Sequence, residues 1–301
     1  MDYSFSSFLA LDCNRIDFID AWLTHHSIQH SVIKFGDKRH IVVRFPAAHY
    51  DPRFRMKTLV AHHDRALNTP GANDNSAACF QLMLFADELQ KSSAFGGQTF
   101  THNIRILFTD GEEAVGKQGI RGQGSFRLGV GLKSIGEENE DMFVFDATGS
   151  GDTLVISTAG ISSAESGSVG EKLAILHEKA LQIAKIVSPE NWIRLPTPFS
   201  DNAGFLASGI PAQVVTVLPH EEATNLLMEL SMGTEEEKKR INQAIVLNSH
   251  KKKDERLLSI IPKTWQRMHT PLDTQDFLTT DAFAIIRKFL LELARRKDIV
   301  S

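Results

Sequence analysis

Apolar positions along this chain recur at two spacings, and those spacings predict its elements. Ile16, Ile19, Trp22 and Leu23 share one face of a helix that ends near His26, with Asn14 or Asp17 as its cap. Ser31–Phe35 and Ile41–Phe45 read as strands on either side of Gly36-Asp37, a hairpin-turn sequence. Short apolar runs follow at Thr58–Ala61, Asn103–Thr109, Asp141–Phe145, Leu154–Ser157 and Gln213–Leu218, lengths that suit buried strands. Helical periodicity covers Ser76–Lys91, with Phe80, Met83 and Leu84 facing inward, and then Val169–Val187. A last helix spans Thr280–Arg296, capped by Thr280 or Asp281, with Phe283, Ile286, Leu290 and Leu293 along one face. Strands alternating with helices predict an α/β fold: three layers, α/β/α, around a central twisted sheet, mixed but mostly parallel.

The pattern changes over residues 219–262. Glu221-Glu222, the run Glu235-Glu236-Glu237-Lys238-Lys239-Arg240 and Lys251-Lys252-Lys253 mark a charged insertion of two or three helices with solvated faces. A cover over a pocket is the sharper alternative for this segment. The 301 residues otherwise suit one domain over 1–301, with no internal repeat and no low-complexity tract.

Charge and composition narrow the partners. A formal net charge of −4 gives no electrostatic reason to expect nucleic acid or an anionic membrane surface. No apolar run reaches the roughly 18 residues that a membrane helix needs. Met1-Asp2-Tyr3-Ser4-Phe5 lacks the basic start and long apolar stretch of a leader, and the two cysteines, Cys13 and Cys79, read as reduced thiols. The expectation is a cytoplasmic protein; homo-oligomerisation is left open.

The chemistry-bearing residues gather at strand ends. Leu59-Val60-Ala61 delivers His62, His63 and Asp64 to the C-terminal end of a strand, where open α/β sheets place their ligand sites. A turn-rich segment with Asn68, Pro70 and Gly71 then leads to Asp74-Asn75 at the start of a helix. The strand ending at Thr109 runs into Glu112-Glu113, another ends at Asp146, and His269 precedes the final helix. Any one of these alone reads as a capping or solvated group. Their recurrence on one side of a sheet implies a cation, because clustered buried carboxylates repel and are costly to desolvate. Imidazoles with carboxylates and no nearby thiolate suit zinc, with cobalt or manganese as alternatives.

Five ordered segments make the reading specific: Ala61-His62-His63-Asp64, Gly71-Ala72-Asn73-Asp74-Asn75, Phe108-Thr109-Asp110-Gly111-Glu112-Glu113-Ala114-Val115-Gly116, Phe145-Asp146 and His269-Thr270-Pro271. Together they resemble the co-catalytic di-zinc aminopeptidase family, which includes bacterial leucyl-type aminopeptidases and, as a divergent branch, glutaminyl cyclases. The resemblance implies a zinc-exopeptidase fold and two zinc ions. His62 and Asp146 would bind one, Glu113 and His269 the other, and Asp74 would bridge them through a residue whose bond to Asn75 is typically cis. It implies that Asp64 orients His62 and that Glu112 is the general base for a zinc-activated water. The implied substrate is a short peptide with a free N-terminus, held by its α-ammonium among the carboxylates.

Some positions depart from that family. Met268 stands where a tyrosine commonly donates to the oxyanion, and a thioether cannot donate. Asn202 stands where histidine is frequent, while Asp201 remains a site-lining candidate, a turn aspartate being the alternative. Ser76-Ala77-Ala78-Cys79 replaces the usual glycine and is nearer the cyclase branch. His63 is read as packed or exposed, and His25, His26 and His102 as surface histidines. A cyclase-like zinc acyltransferase, which Met268 disfavours, and a hydrolase of a non-peptide amide are the alternative activities; a non-catalytic binding module is the third class.

Overall fold

The computed structural model describes residues 2–92, 100–113, 119–161, 169–247 and 254–299. Ala114-Val115-Gly116 of the third motif and Lys251–Lys253 lie outside them. Eight strands form one mixed sheet: β1 (His30–Phe35), β2 (Lys38–Val43), β3 (Lys57–His62), β4 (Ile104–Thr109), β5 (Asp141–Phe145), β6 (Thr153–Ser157), β7 (Trp192–Leu195) and β8 (Ala212–Leu218). Their order is β1-β2-β4-β3-β5-β8-β6-β7. β1 and β2 make the expected hairpin, with Phe35 opposite Lys38 across Gly36, whose φ is +65°. β4, β3, β5 and β8 run parallel to one another, and β6 returns antiparallel to β8.

Side-chain alternation splits the core between the two faces of the sheet. Leu59, Ala61, Ile106, Phe108, Phe143 and Phe145 face one cluster. It is shared with α2 (Arg15–His25), α3 (Ala77–Ser92), α5 (Val169–Val187) and α11 (Thr280–Arg295). Val60, Leu107, Met142, Val144 and Val214 face the other, beneath α4 (Gly124–Ser134) and α6 (Asp201–Ser208). This is the expected three-layer arrangement. A short α1 (Phe5–Leu9) precedes these elements.

Several details differ from the sequence expectation. Leu84 is 52% exposed, so α3 turns Phe80 and Met83 inward but not Leu84. Thr279 caps α11, accepting from the Ala282 N–H, and Ala282 and Phe289 are more deeply buried than Phe283. His102 is buried, not superficial: its Nδ1 accepts from the Ile104 N–H at 3.0 Å and its ring stacks on His49.

The charged segment holds α7 (His220–Met232), α8 (Glu235–Val246) and α9 (Glu255–Ile260), followed by α10 (Lys263–Arg267). α8 begins with a capping box between Thr234 and Glu237. These helices are more than solvated faces. Ala223, Leu226, Ile241, Ile245 and Ile260 form a third apolar cluster with Val155, Leu195, Trp265 and Met268. Among the described residues, no helix is long and apolar enough to cross a membrane.

Candidate metal centre

The site lies beyond the C-terminal ends of β3, β4 and β5. β3 sits between the other two, where the connection runs one way to β4 and the other way to β5. Parallel sheets open a crevice at such a reversal. His62 is the last residue of β3, and Asp146 follows β5 directly. Glu112 and Glu113 follow β4 after Gly111, whose φ of +81° makes the turn. Asp74 comes from an irregular helical turn, Ala72–Ser76, that begins after Gly71 in the left-handed region; its bond to Asn75 is cis, as the resemblance implies. His269 follows α10 and has φ +60°, a conformation a non-glycine residue adopts rarely.

These side chains converge on Asp74. Its Oδ1 lies 3.3 Å from His62 Nε2 and its Oδ2 lies 3.1 Å from His269 Nε2. Asp146 Oδ1 is 3.8 Å from His62 Nε2, and Glu113 Oε2 is 3.1 Å from His269 Nε2. Two triads result, His62–Asp74–Asp146 and Asp74–Glu113–His269, each with its donor atoms within 4.8 Å of one another. The residues fit divalent cations on this structure's own terms. His62 Nε2, both Asp74 oxygens, Glu113 Oε1 and Asp146 Oδ1 are buried without a hydrogen bond. Buried polar atoms are normally satisfied, and a nitrogen-and-oxygen donor set of this kind is what zinc takes.

The electrostatics match that crowding. Burial opposes charge on His62, yet the Asp146, Asp64 and Asp74 carboxylates outweigh it and raise its pKa well above the ordinary value. His269 is likewise pushed up to about 11, burial being overcome by Asp74 and Glu113. Burial raises Glu112 well above the carboxylate range, and Glu113, Asp146 and Asp201 push it further.

The surrounding shell fixes the backbone. The Asp64 carboxylate lies 3.6 Å from His62 Nδ1, while its main-chain oxygen sits closer to that nitrogen, at 3.2 Å. The same carboxylate accepts the N–H groups of Glu112 at 3.2 Å and Glu113 at 2.9 Å. Asp64 therefore ties the end of β3 to the turn after β4. His63 is packed, with its Nε2 at 2.9 Å from the Arg39 carbonyl. Asp201, the first residue of α6, is fully buried, accepts from Thr109 Oγ1 at 2.5 Å, and is raised to about 6 by burial. Met268 is buried and, with Trp265, Thr197 and Pro198, lines a cavity of about 10 Å³ that also touches Asp146.

Four residues that the motifs do not single out also serve the site. Asp273 accepts the Asn73 and Asp74 N–H groups at 2.9 and 3.0 Å, orienting the turn that carries Asp74. Arg15, buried at the start of α2, donates to the carbonyls of His63, Pro70 and Gly71 and to Ser76 Oγ. Gln123 Nε2 donates to Glu112 Oε1 at 3.1 Å. Trp265 walls the cavity beside Asp146. Asp273, two residues after the Thr270-Pro271 pair, is the one a motif could have flagged; the others sit in unremarkable sequence.

Residues 41–294 match the model of Peptidase family M28. The chain belongs to that family. No curated protein sequence matches it. Among solved structures, it is 14% identical to a leucine aminopeptidase precursor from Bacteroides thetaiotaomicron, with a TM-score of 0.61 and 99% of each chain covered. It is 15% identical to the glutaminyl cyclase of Porphyromonas gingivalis, with a TM-score of 0.59 over 96% of this chain and 94% of that one. It is 19% identical to an aminopeptidase from Aneurinibacillus sp. strain AM-1, with a TM-score of 0.51 over 87% of this chain. The chain spans about half, 49%, of that last protein. At these identities the likeness is one of fold.

Proposed function

We propose that this protein is a metal-dependent aminopeptidase that holds two zinc ions and hydrolyses the N-terminal bond of short peptides. One observation carries the reading: Asp74 turns one carboxylate oxygen toward each of two imidazoles, each completed by a further carboxylate. His62, Asp74 and Asp146 would hold one ion, and Asp74, Glu113 and His269 the other. When bound, such ions supply Lewis acidity to the carbonyl and make water a better nucleophile.

The chain's own residues do the rest. Glu112, buried beside the triads, accepts a proton from water as that water adds to the scissile carbonyl, and returns it to the leaving amine. Asp64 keeps the Glu112 and Glu113 backbone in place through two N–H bonds. The acidic cluster receives the substrate's α-ammonium, which limits cleavage to a free N-terminus. Met268 borders the cavity at Asp146, while Asp201, fully buried and bonded to Thr109, lies behind the site and does not reach the substrate. The test is release of free amino acids from a panel of dipeptides and aminoacyl anilides by zinc-loaded protein. Glu112→Gln should lower turnover by about 10³-fold with bound metal retained. A loaded protein that cleaves nothing on the panel overturns the reading.

The cyclase branch that the motifs resemble uses tryptophan near its catalytic pocket, so Trp265 on the wall of the cavity at Asp146 is a specific reason to run a second assay, for a cyclase. Pyroglutamate formation from an N-terminal glutamine peptide, without release of glutamine, would assign the chain to that chemistry instead.

A further inference from the structure

Glu112 is gripped twice. Asp64 accepts its backbone N–H, and Gln123 Nε2 donates to its Oε1 at 3.1 Å; both side chains of this second pair are buried. Gln123 stands at the N-terminal flank of α4, and that helix packs closely against its neighbours. A Cβ on Gly124 would sit 1.9 Å from the Asp110 carbonyl oxygen, so the helix start is seated against the turn that carries Glu112. Further along, a Cβ on Gly129 would meet Ser208 Oγ at 2.1 Å, and one on Gly204 would meet Ser125 Oγ at 2.2 Å. Glycine on each helix thus lets α4 and α6 interlock at backbone distance. Gln123 is therefore presented to Glu112 from the cap of a closely packed helix.

We infer that Gln123 is a positioning residue for Glu112: its amide holds Oε1 and leaves Oε2 as the oxygen that exchanges the proton with water and leaving group. This rests on the reading of Glu112 as the general base. An amide suits the task because it donates to a carboxylate without adding another negative charge to a cluster that already holds Glu113, Asp146 and Asp201. A carboxylate acting in proton transfer must be held within hydrogen-bond reach of the proton it takes, so a loosened side chain lowers turnover rather than affinity.

The experiment compares Gln123→Met, similar in length and without a donor, with wild type in the zinc-loaded state. We expect kcat to fall by about tenfold to a hundredfold, the range for losing a hydrogen bond to a charged group. KM and bound zinc should stay unchanged. In Glu112→Asp, whose shorter side chain no longer meets the amide, adding Gln123→Met should cost nothing more. Unchanged kcat in Gln123→Met, or an equal loss in both backgrounds, overturns the proposal. A crystal structure of Gln123→Met reads the same point without turnover: Glu112 leaving its position supports the inference, and an unmoved Glu112 overturns it. Wild type inactive on every peptide would instead sink the aminopeptidase reading, with the crystal structure still deciding the role of Gln123.

Discussion

Lys57 opens β3 and His62 closes it, and the two ends of that strand handle buried charge in different ways. At the N-terminal end, Lys57 Nζ donates to the Arg296 carbonyl at 2.5 Å. Its neighbour on β5 is Asp141, and Arg105 on β4 stands opposite Thr58, the next residue along β3. Arg105 pairs with Glu137 and Glu140, and Asp141 pairs with Lys179 at 2.5 Å and Arg55 at 3.7 Å. Each acid there meets a lysine or arginine. At the other end the same three strands deliver His62, Glu112, Glu113 and Asp146, joined by Asp74, and several of their polar atoms are buried without a partner. One end neutralises itself and serves stability. The other is short of positive charge, as a site that takes a cation from outside must be.

That contrast can be attacked from both ends. Arg105→Met strips the buried guanidinium facing Glu140 and should cost about 4 kcal/mol of unfolding free energy, since breaking a buried pair strands its partner. Below the melting point its peptidase turnover should match wild type; a loss of activity at equal stability would blur the division. Zinc at a hundred times its Kd should raise the unfolding free energy by about 2.7 kcal/mol. Asp74→Asn should abolish that rise in a thermal-shift titration while Arg105→Met keeps it. A full rise in Asp74→Asn would remove Asp74 from the centre.

The smallest effect concerns pH. Burial, with His49 and Lys57 adding to it, holds His102 down at about 3, against 6.5 for an ordinary histidine. Between those values the unfolded chain binds the proton and the folded chain does not, so stability falls as pH drops below 6.5. The loss should be about 2 kcal/mol by pH 5, at 1.36 kcal/mol per pH unit. Urea melts from pH 7 to pH 5 read it, and His102→Asn should lessen the slope, the remainder belonging to His40, which burial holds at about 4; an unchanged slope would show that His102 does not carry its share.

Strand ends and helix periodicity were legible because each depends on residues close in sequence. β5 and α5 have the bounds that their apolar patterns predict, and the converging acids and histidines sit in compact motifs. What escaped depends on distant partners. α4 carries Gly124, Gly129 and Gly131, poor helix formers whose value appears only when the Asp110 turn, α6 and the Phe35 ring press against them in turn. Arg15 and Gln123 resemble surface residues until the fold brings carbonyls and Glu112 to them. His102 lacks any motif and is buried by Phe45 and His49. Leu84 lies exposed because a helical stripe has an edge, and its width is set by the neighbouring helix rather than by the sequence.

The family match begins at residue 41, while the guanidinium that spans His63, Pro70, Gly71 and Ser76 belongs to Arg15. The buckle of the metal cradle thus lies ahead of the stretch by which the protein is recognised. A chain trimmed to that stretch would retain all five proposed ligands and lose the strap that keeps Asp74 opposite His62.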